Sequence, residues 1–168
     1  MTVGTVLEIF TSDATGEPMI AQTNAEAIPG MGLAGDRYAL GVGFYSNNPI
    51  TSGARELTLI DMRSIAQVTE ETGLPFSSIE SRRNLITSGI DLEALIGLAF
   101  SIGDVRCEGV RACPPCVHLE ELTGKKVMKS LAHTGGLRAR IVQGGTIRVG
   151  DTIESIGPAQ GPSVGNDE

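Results

Sequence analysis

The stretch Leu98-Ala-Phe-Ser-Ile-Gly-Asp-Val-Arg-Cys-Glu-Gly-Val110 decides the fold class. Two apolar runs, Leu98–Ile102 and Val105–Val110, flank Gly103-Asp104, a dipeptide suited to a tight hairpin turn. The same signature recurs on both sides. Gly136–Val142 and Thr146–Val149 read as a second hairpin about Gly144-Gly145, and Thr152–Ile156 as a closing strand. Towards the N-terminus, Val3–Phe10, Met19–Gln22, Ala25–Ile28, Arg55–Ile60 and Arg82–Thr87 have strand composition, with a turn-rich Thr11–Pro18 after the first. One clear helix interrupts them. Asp61 fits its N-cap, Met62, Ile65, Ala66 and Val68 recur at helical spacing, and Gly73 supplies the stop. Pro75–Glu80, Asp91–Ile96, Val117–Leu122 and Val127–Ala132 are shorter helical candidates. The expectation is a mainly β, β-rich α+β domain: a closed or partly open β-barrel carrying a few short helices. It spans residues 1–156, followed by a polar, disordered tail over 157–168.

Composition agrees with this and narrows the function. In 168 residues, 40% are hydrophobic but only 4% aromatic, so the core must be built from Val, Ile and Leu, which suit strands. Twenty-two glycines and eight prolines supply the turns of a small barrel. A net charge of −7 argues against a nucleic-acid partner, which needs a basic face. Three cysteines is an odd count in a chain large enough to fold without staples, so a secreted disulfide framework is not expected. The first ten residues have no basic region, and no run approaches the roughly 20 apolar residues of a membrane helix. The expected setting is cytoplasmic, with no membrane association.

Three motifs are candidates for chemistry. Gly30-Met-Gly-Leu-Ala-Gly35 has dinucleotide-fingerprint spacing, but glycines follow where a helix should propagate, so it reads as a loop needing positive φ. Asp36-Arg37 reads as an internal ion pair pinning that loop. Arg111-Ala-Cys-Pro-Pro-Cys-Val-His118 is more specific. Pro114 and Pro115 fix two φ angles and stiffen the turn, holding Cys116 at a defined position. Arg111 and His118 are close enough in sequence to favour a thiolate. Three readings of Cys113 and Cys116 stay open: metal ligands, although no zinc-finger spacing exists; a redox dithiol; or buried thiols acting as small hydrophobes. Cys107 falls within a strand pattern and reads as core. Arg82-Arg83-Asn84 could grip a phosphate or polar heterocycle, or form an ordinary charged strand edge.

Taken together, these strings resemble the MOSC domain family, named after the C-terminal domain of molybdenum-cofactor sulfurase. The resemblance covers about residues 26–154. It is carried in order by Gly32-Leu-Ala-Gly-Asp-Arg-Tyr38, Arg55-Glu-Leu-Thr-Leu-Ile60, Arg82-Arg-Asn-Leu-Ile86, Leu95-Ile-Gly-Leu-Ala-Phe-Ser-Ile-Gly103, Ala112-Cys-Pro-Pro-Cys-Val-His-Leu119 and Gly145-Thr-Ile-Arg-Val-Gly-Asp-Thr-Ile153. It implies a MOSC-type β-barrel that binds the molybdenum cofactor, a pterin dithiolene bearing phosphate, or that carries sulfur as a persulfide. It further implies Cys116 as catalytic residue and molybdenum ligand. Arg82, Arg83 and Asn84 would be cofactor contacts, with Arg111, Cys113 and His118 beside them. The implied activities are reduction of N-hydroxylated compounds, with a small-molecule substrate and a redox partner, or sulfur carriage, with a cysteine desulfurase as donor. The resemblance begins near residue 26, so the expectation is a member without the long N-terminal β-barrel extension of the amidoxime-reducing relatives.

Overall fold

The computed structural model describes residues 3–43, 55–114, 120, 123, 124, 131 and 134–159. Seven strands close into a barrel, running β1 (Val3–Thr11), β6 (Leu85–Ser88), β5 (Leu57–Asp61), β9 (Leu137–Gln143), β8 (Val105–Ala112), β7 (Leu98–Ile102) and β11 (Thr152–Pro158), which pairs back onto β1. In a ring of seven, alternating strand direction cannot close on itself, so one neighbouring pair must run parallel. That pair is β5–β6, with Leu59 opposite Leu85. Parallel neighbours need a crossover, and α1 (Met62–Thr72) supplies most of it. As expected, the Asp61 side chain caps α1 by accepting from Arg63 N, and Gly73 ends it at φ 70°.

Strand alternation then sorts the core. Leu57 and Leu59 point into the barrel among Val6, Ile9, Leu85 and Phe100, while Ile60 and Ile86 face outward against Ile65 and Val68 of α1. All five residues of β5 are buried, because α1 covers its outer face. The interior is aliphatic, with Phe100 the one aromatic of its buried cluster among the described residues.

The Leu98–Val110 hairpin forms as read, pairing Phe100 with Cys107 across Gly103-Asp104. The second expected hairpin does not form. Both edges of β9 are taken by β5 and β8, so β10 (Gly145–Arg148) leaves the barrel. It pairs with β3 (Asn24–Ile28), and β4 (Gly32–Leu33) completes this small second sheet. Ile147, Ala25, Ala27 and Leu33 point from it into the barrel core. β2 (Ile20–Gln22) extends the main sheet beside β1. The Arg82–Thr87 strand is shorter than expected: Arg82 caps a 3₁₀ turn over Ile79–Ser81, and β6 starts at Leu85. β11 runs through Pro158, into the stretch expected as tail, pairing Gly157 with Ala99 and Pro158 with Leu98. The candidate helices Val117–Leu122 and Val127–Ala132 lie almost wholly outside the described residues, as does the tail from residue 160.

Candidate functional site

The site is built where β8 ends. After Ala112 the chain enters Cys113-Pro114, and it returns through Thr134-Gly135-Gly136 into β9. Cys113 N donates to the Gly136 carbonyl at 2.8 Å, closing the neck of this connection. Gly136 takes φ 113°, and any Cβ there would overlap the Leu59 carbonyl oxygen, so only glycine fits. Cys113 is 1% exposed, as the reading of a buried small hydrophobe requires. Cys116 and His118 lie outside the described residues.

Arg83 reaches this neck from the start of β6. Its Nε donates to the Gly135 carbonyl at 2.9 Å, and its Nη2 to the carbonyls of Cys113 and Pro114 at 3.2 and 3.3 Å. Asn84 is also buried and committed. Its Oδ1 accepts from Thr58 N and Thr58 Oγ1, while its Nδ2 donates to the Phe10 carbonyl. The amide thereby ties β1, β5 and β6 together.

Arg82 points elsewhere, from the cap of the 3₁₀ turn. Its backbone sits at φ 57°, the only positive φ of a non-glycine residue among those described. Its Nη1 donates to the Glu17 carbonyl at 2.8 Å, and its Nη2 is buried without a partner among the described residues. Burial foremost, then the nearby Arg37, depresses its pKa, with Tyr38 and Asp36 opposing. Arg55 is similar: its Nε is buried and unpartnered among the described residues. Its pKa is also lowered, by burial foremost and then by Arg138 and Arg111, against an opposing effect of Tyr38. Arg111 is exposed at the end of β8 and lies in register with Arg138 of β9. Like charges directly opposite are unfavourable unless an anion joins them. Arg37 pairs with Asp36 at 3.2 Å, as expected, and its guanidinium lies 4.9 Å from the Tyr38 ring centre. A chain of net charge −7 thus concentrates Arg37, Arg55, Arg82, Arg111 and Arg138 in one region.

Sequence reasoning singled out Arg82 and Arg111 but took Arg37 for a structural pair and Arg55 for a strand start. The Arg111–Arg138 pairing depends on a register shift between Gly109 and Arg111 that no local pattern announces. A cleft of about 420 Å³ also borders the neck, lined by Ala112, Cys113, Pro114, Gly135, Asp61 and Asp91 among others. Cys107 is fully buried, and burial first, then Glu56, pushes its thiol pKa far up, so it is inert core as read. The glycine loop leads into turns and no helix, as expected of a non-dinucleotide motif.

The family's sequence profile, the MOSC domain, matches residues 36–154, which span the barrel from the Asp36-Arg37 pair to β11. The chain belongs to the MOSC domain family. Solved structures agree on the fold of this MOSC domain. The YUAD protein from Bacillus subtilis superposes with a TM-score of 0.77 at 14% identity, covering 92% of this chain and 98% of that one. YiiM from Geobacillus stearothermophilus gives 0.65 at 14%, over 91% of this chain and 75% of that one. YiiM from Escherichia coli gives 0.63 at 16%, over 95% and 71%. No curated protein matches the chain in sequence. Among the described residues no helix of this MOSC domain is long and apolar enough to cross a membrane.

Proposed function

We propose that this MOSC domain binds the molybdenum cofactor and acts as a small oxidoreductase on N-hydroxylated compounds, with Cys116 as the molybdenum ligand. The observation that carries the reading is the cluster of arginines around Tyr38. Arg55 and Arg82 each hold a buried donor atom without a partner among the described residues, beside Arg37, Arg111 and Arg138. Arg37 is held by Asp36, whereas the unpartnered buried donors of Arg55 and Arg82 suit a phosphate-bearing ligand, whose charge would offset the repulsion between neighbouring guanidiniums. The donor set therefore fits the anionic end of a pterin phosphate.

In this reading Arg55, Arg82 and Arg111 anchor and orient the ligand, and a thiolate at Cys116 serves as soft metal ligand. When bound, the cofactor supplies the electron and oxygen-atom chemistry that reduces an N–OH group. The cleft beside Cys113 gives a substrate a place against the Cys113-Pro114 neck.

The test is expression in a cofactor-producing host, followed by molybdenum and pterin analysis of the purified chain. The expected result is near-stoichiometric metal in the wild type, loss of metal in Cys116→Ala, and loss of both metal and pterin in the Arg55→Gln/Arg82→Gln double variant. Equal metal in wild type and Cys116→Ala would remove the assigned ligand. The second reading, sulfur carriage, is favoured by the burial of Cys113, which leaves Cys116 as a single working thiol. A metal-free wild type that gains one labile sulfur on Cys116 after incubation with a cysteine desulfurase would establish carriage instead.

A further inference from the structure

Arg82 keeps a backbone conformation that a side chain resists, and its hydrogen bonds show what holds it there. Five of them run in a closed circuit that joins the turn after β1, the segment after the glycine loop and the 3₁₀ cap before β6. Ser12, 1% exposed, donates its backbone N–H to Asp36 Oδ1 at 3.0 Å and its hydroxyl to the Glu17 carbonyl at 3.1 Å. Arg82 Nη1 donates to that same carbonyl at 2.8 Å. Arg37 Nη2 donates to the Arg82 carbonyl at 3.4 Å, and Arg37 Nη1 closes the circuit on Asp36 Oδ1 at 3.2 Å. A sixth bond, from Arg37 N to the Ser12 carbonyl at 2.6 Å, braces it across the middle.

A strained backbone persists where its surroundings over-determine it. Here one bond fixes the Arg82 carbonyl and another fixes a guanidinium nitrogen. The circuit occupies Nη1 and leaves Nη2, which is buried without a partner among the described residues. A long side chain ordinarily loses its rotamer freedom when a ligand binds, whereas Arg82 has lost it on folding. We infer that Ser12 and Arg37 are positioning residues for the Arg82 guanidinium. Ser12 acts through the Glu17 carbonyl, and Arg37 through the backbone of Arg82 itself. Neither has to touch a ligand. The inference rests on the reading of Arg82 as the anchor of an anionic ligand.

Arg83 supplies an internal control. It is adjacent in sequence and 9% exposed, and its guanidinium is held by the Gly135, Cys113 and Pro114 carbonyls, outside the circuit. General loosening of the fold frees both guanidiniums. Loss of positioning frees Arg82 alone.

The experiment uses the full apo chain, isotope-labelled for nuclear magnetic resonance. Relaxation of each arginine Nε reports how rigidly its guanidinium is held, and titration with inorganic phosphate reports anion affinity. The variants are Ser12→Ala, Arg37→Lys and Arg82→Gln, with the first two also combined with the third. In the wild type Arg82 Nε should be as rigid as Arg83 Nε. In Ser12→Ala and in Arg37→Lys, Arg82 Nε should become mobile while Arg83 Nε stays rigid. Phosphate affinity should fall about tenfold in each, the scale of immobilising one long side chain. With Arg82→Gln already present the fall should vanish, because no guanidinium remains to be positioned. Arg37→Lys keeps its charge, so a field effect alone predicts no change. If Arg37→Lys does not fold, Ser12→Ala decides alone. Arg82 as rigid in the folded variants as in the wild type would overturn the assignment. So would Arg82 and Arg83 loosening together, or equal loss of phosphate affinity with and without Arg82→Gln. A wild type whose Arg82 is rigid, and is released in the variants, but which binds no phosphate would instead defeat Arg82 as the anchor and leave the positioning standing.

Discussion

At the scale of single residues, two side chains sit in positions that a stability-driven sequence would avoid. Arg82 adopts a left-handed backbone at φ 57°, a conformation that disfavours any Cβ. Arg82→Gly and Arg82→Ala both remove the guanidinium, so their difference isolates the backbone. Urea unfolding should find the glycine variant more stable than the alanine one by about 1 kcal/mol. If the proposed function holds, both should also weaken cofactor binding, because the guanidinium is the proposed anchor for the pterin phosphate. Glu56 is the other. Its carboxylate is 6% exposed and accepts from Gly30 N and Ile141 N. Burial foremost raises its pKa, against the opposing effect of those hydrogen bonds and of Arg140. The folded chain therefore binds a proton more tightly here than the unfolded one. This contribution to stability falls as pH rises from 4.5 to the raised folded value. Glu56→Gln keeps an acceptor for both amides, so its Tm should be flatter across that window and higher than wild type at pH 7.

At the scale of elements, α1 makes the simplest test. Asp61 closes β5 and caps the helix at once, accepting from Arg63 N at 2.7 Å. Asp61→Ala should lower stability by about 1 kcal/mol in chemical denaturation. Elements of this kind were legible in the sequence because their signals are local: an N-cap, a 3.6-residue period, a glycine stop, or two apolar runs about Gly103-Asp104. The failures share one cause. Gly144-Gly145 looks like a hairpin turn, but the partner of β10 was decided by which strand edges were already filled. The charged residues divide the same way. Asp36-Arg37 could be paired from adjacency alone, whereas Arg55, Arg111 and Arg138 meet only after distant strands pair with a register shift. Arg82 and Arg83 were read as one motif, but the two side chains face different ways, and one guanidinium went to the arginine cluster while the other went to the loop neck.

At the scale of the molecule, the barrel depends on its last strand. β11 pairs with both β7 and β1, so removing it leaves two unpaired edges. A chain ending at Ala159 should unfold with wild-type Tm and cooperativity by circular dichroism, while one ending at Gly150 should show no cooperative transition. The closing pairs join Val3, Gly4 and Thr5 to Glu154, Ile153 and Thr152, almost the full chain apart. On the ribosome, the first strand made must therefore wait for the last before its edge is covered. Contacts this distant in sequence slow folding, and a waiting strand edge can pair with another nascent chain. Yield of native protein should thus depend on translation rate and on chaperones that shield that edge, while the β5–α1–β6 unit, whose contacts are all near neighbours in sequence, forms without their help.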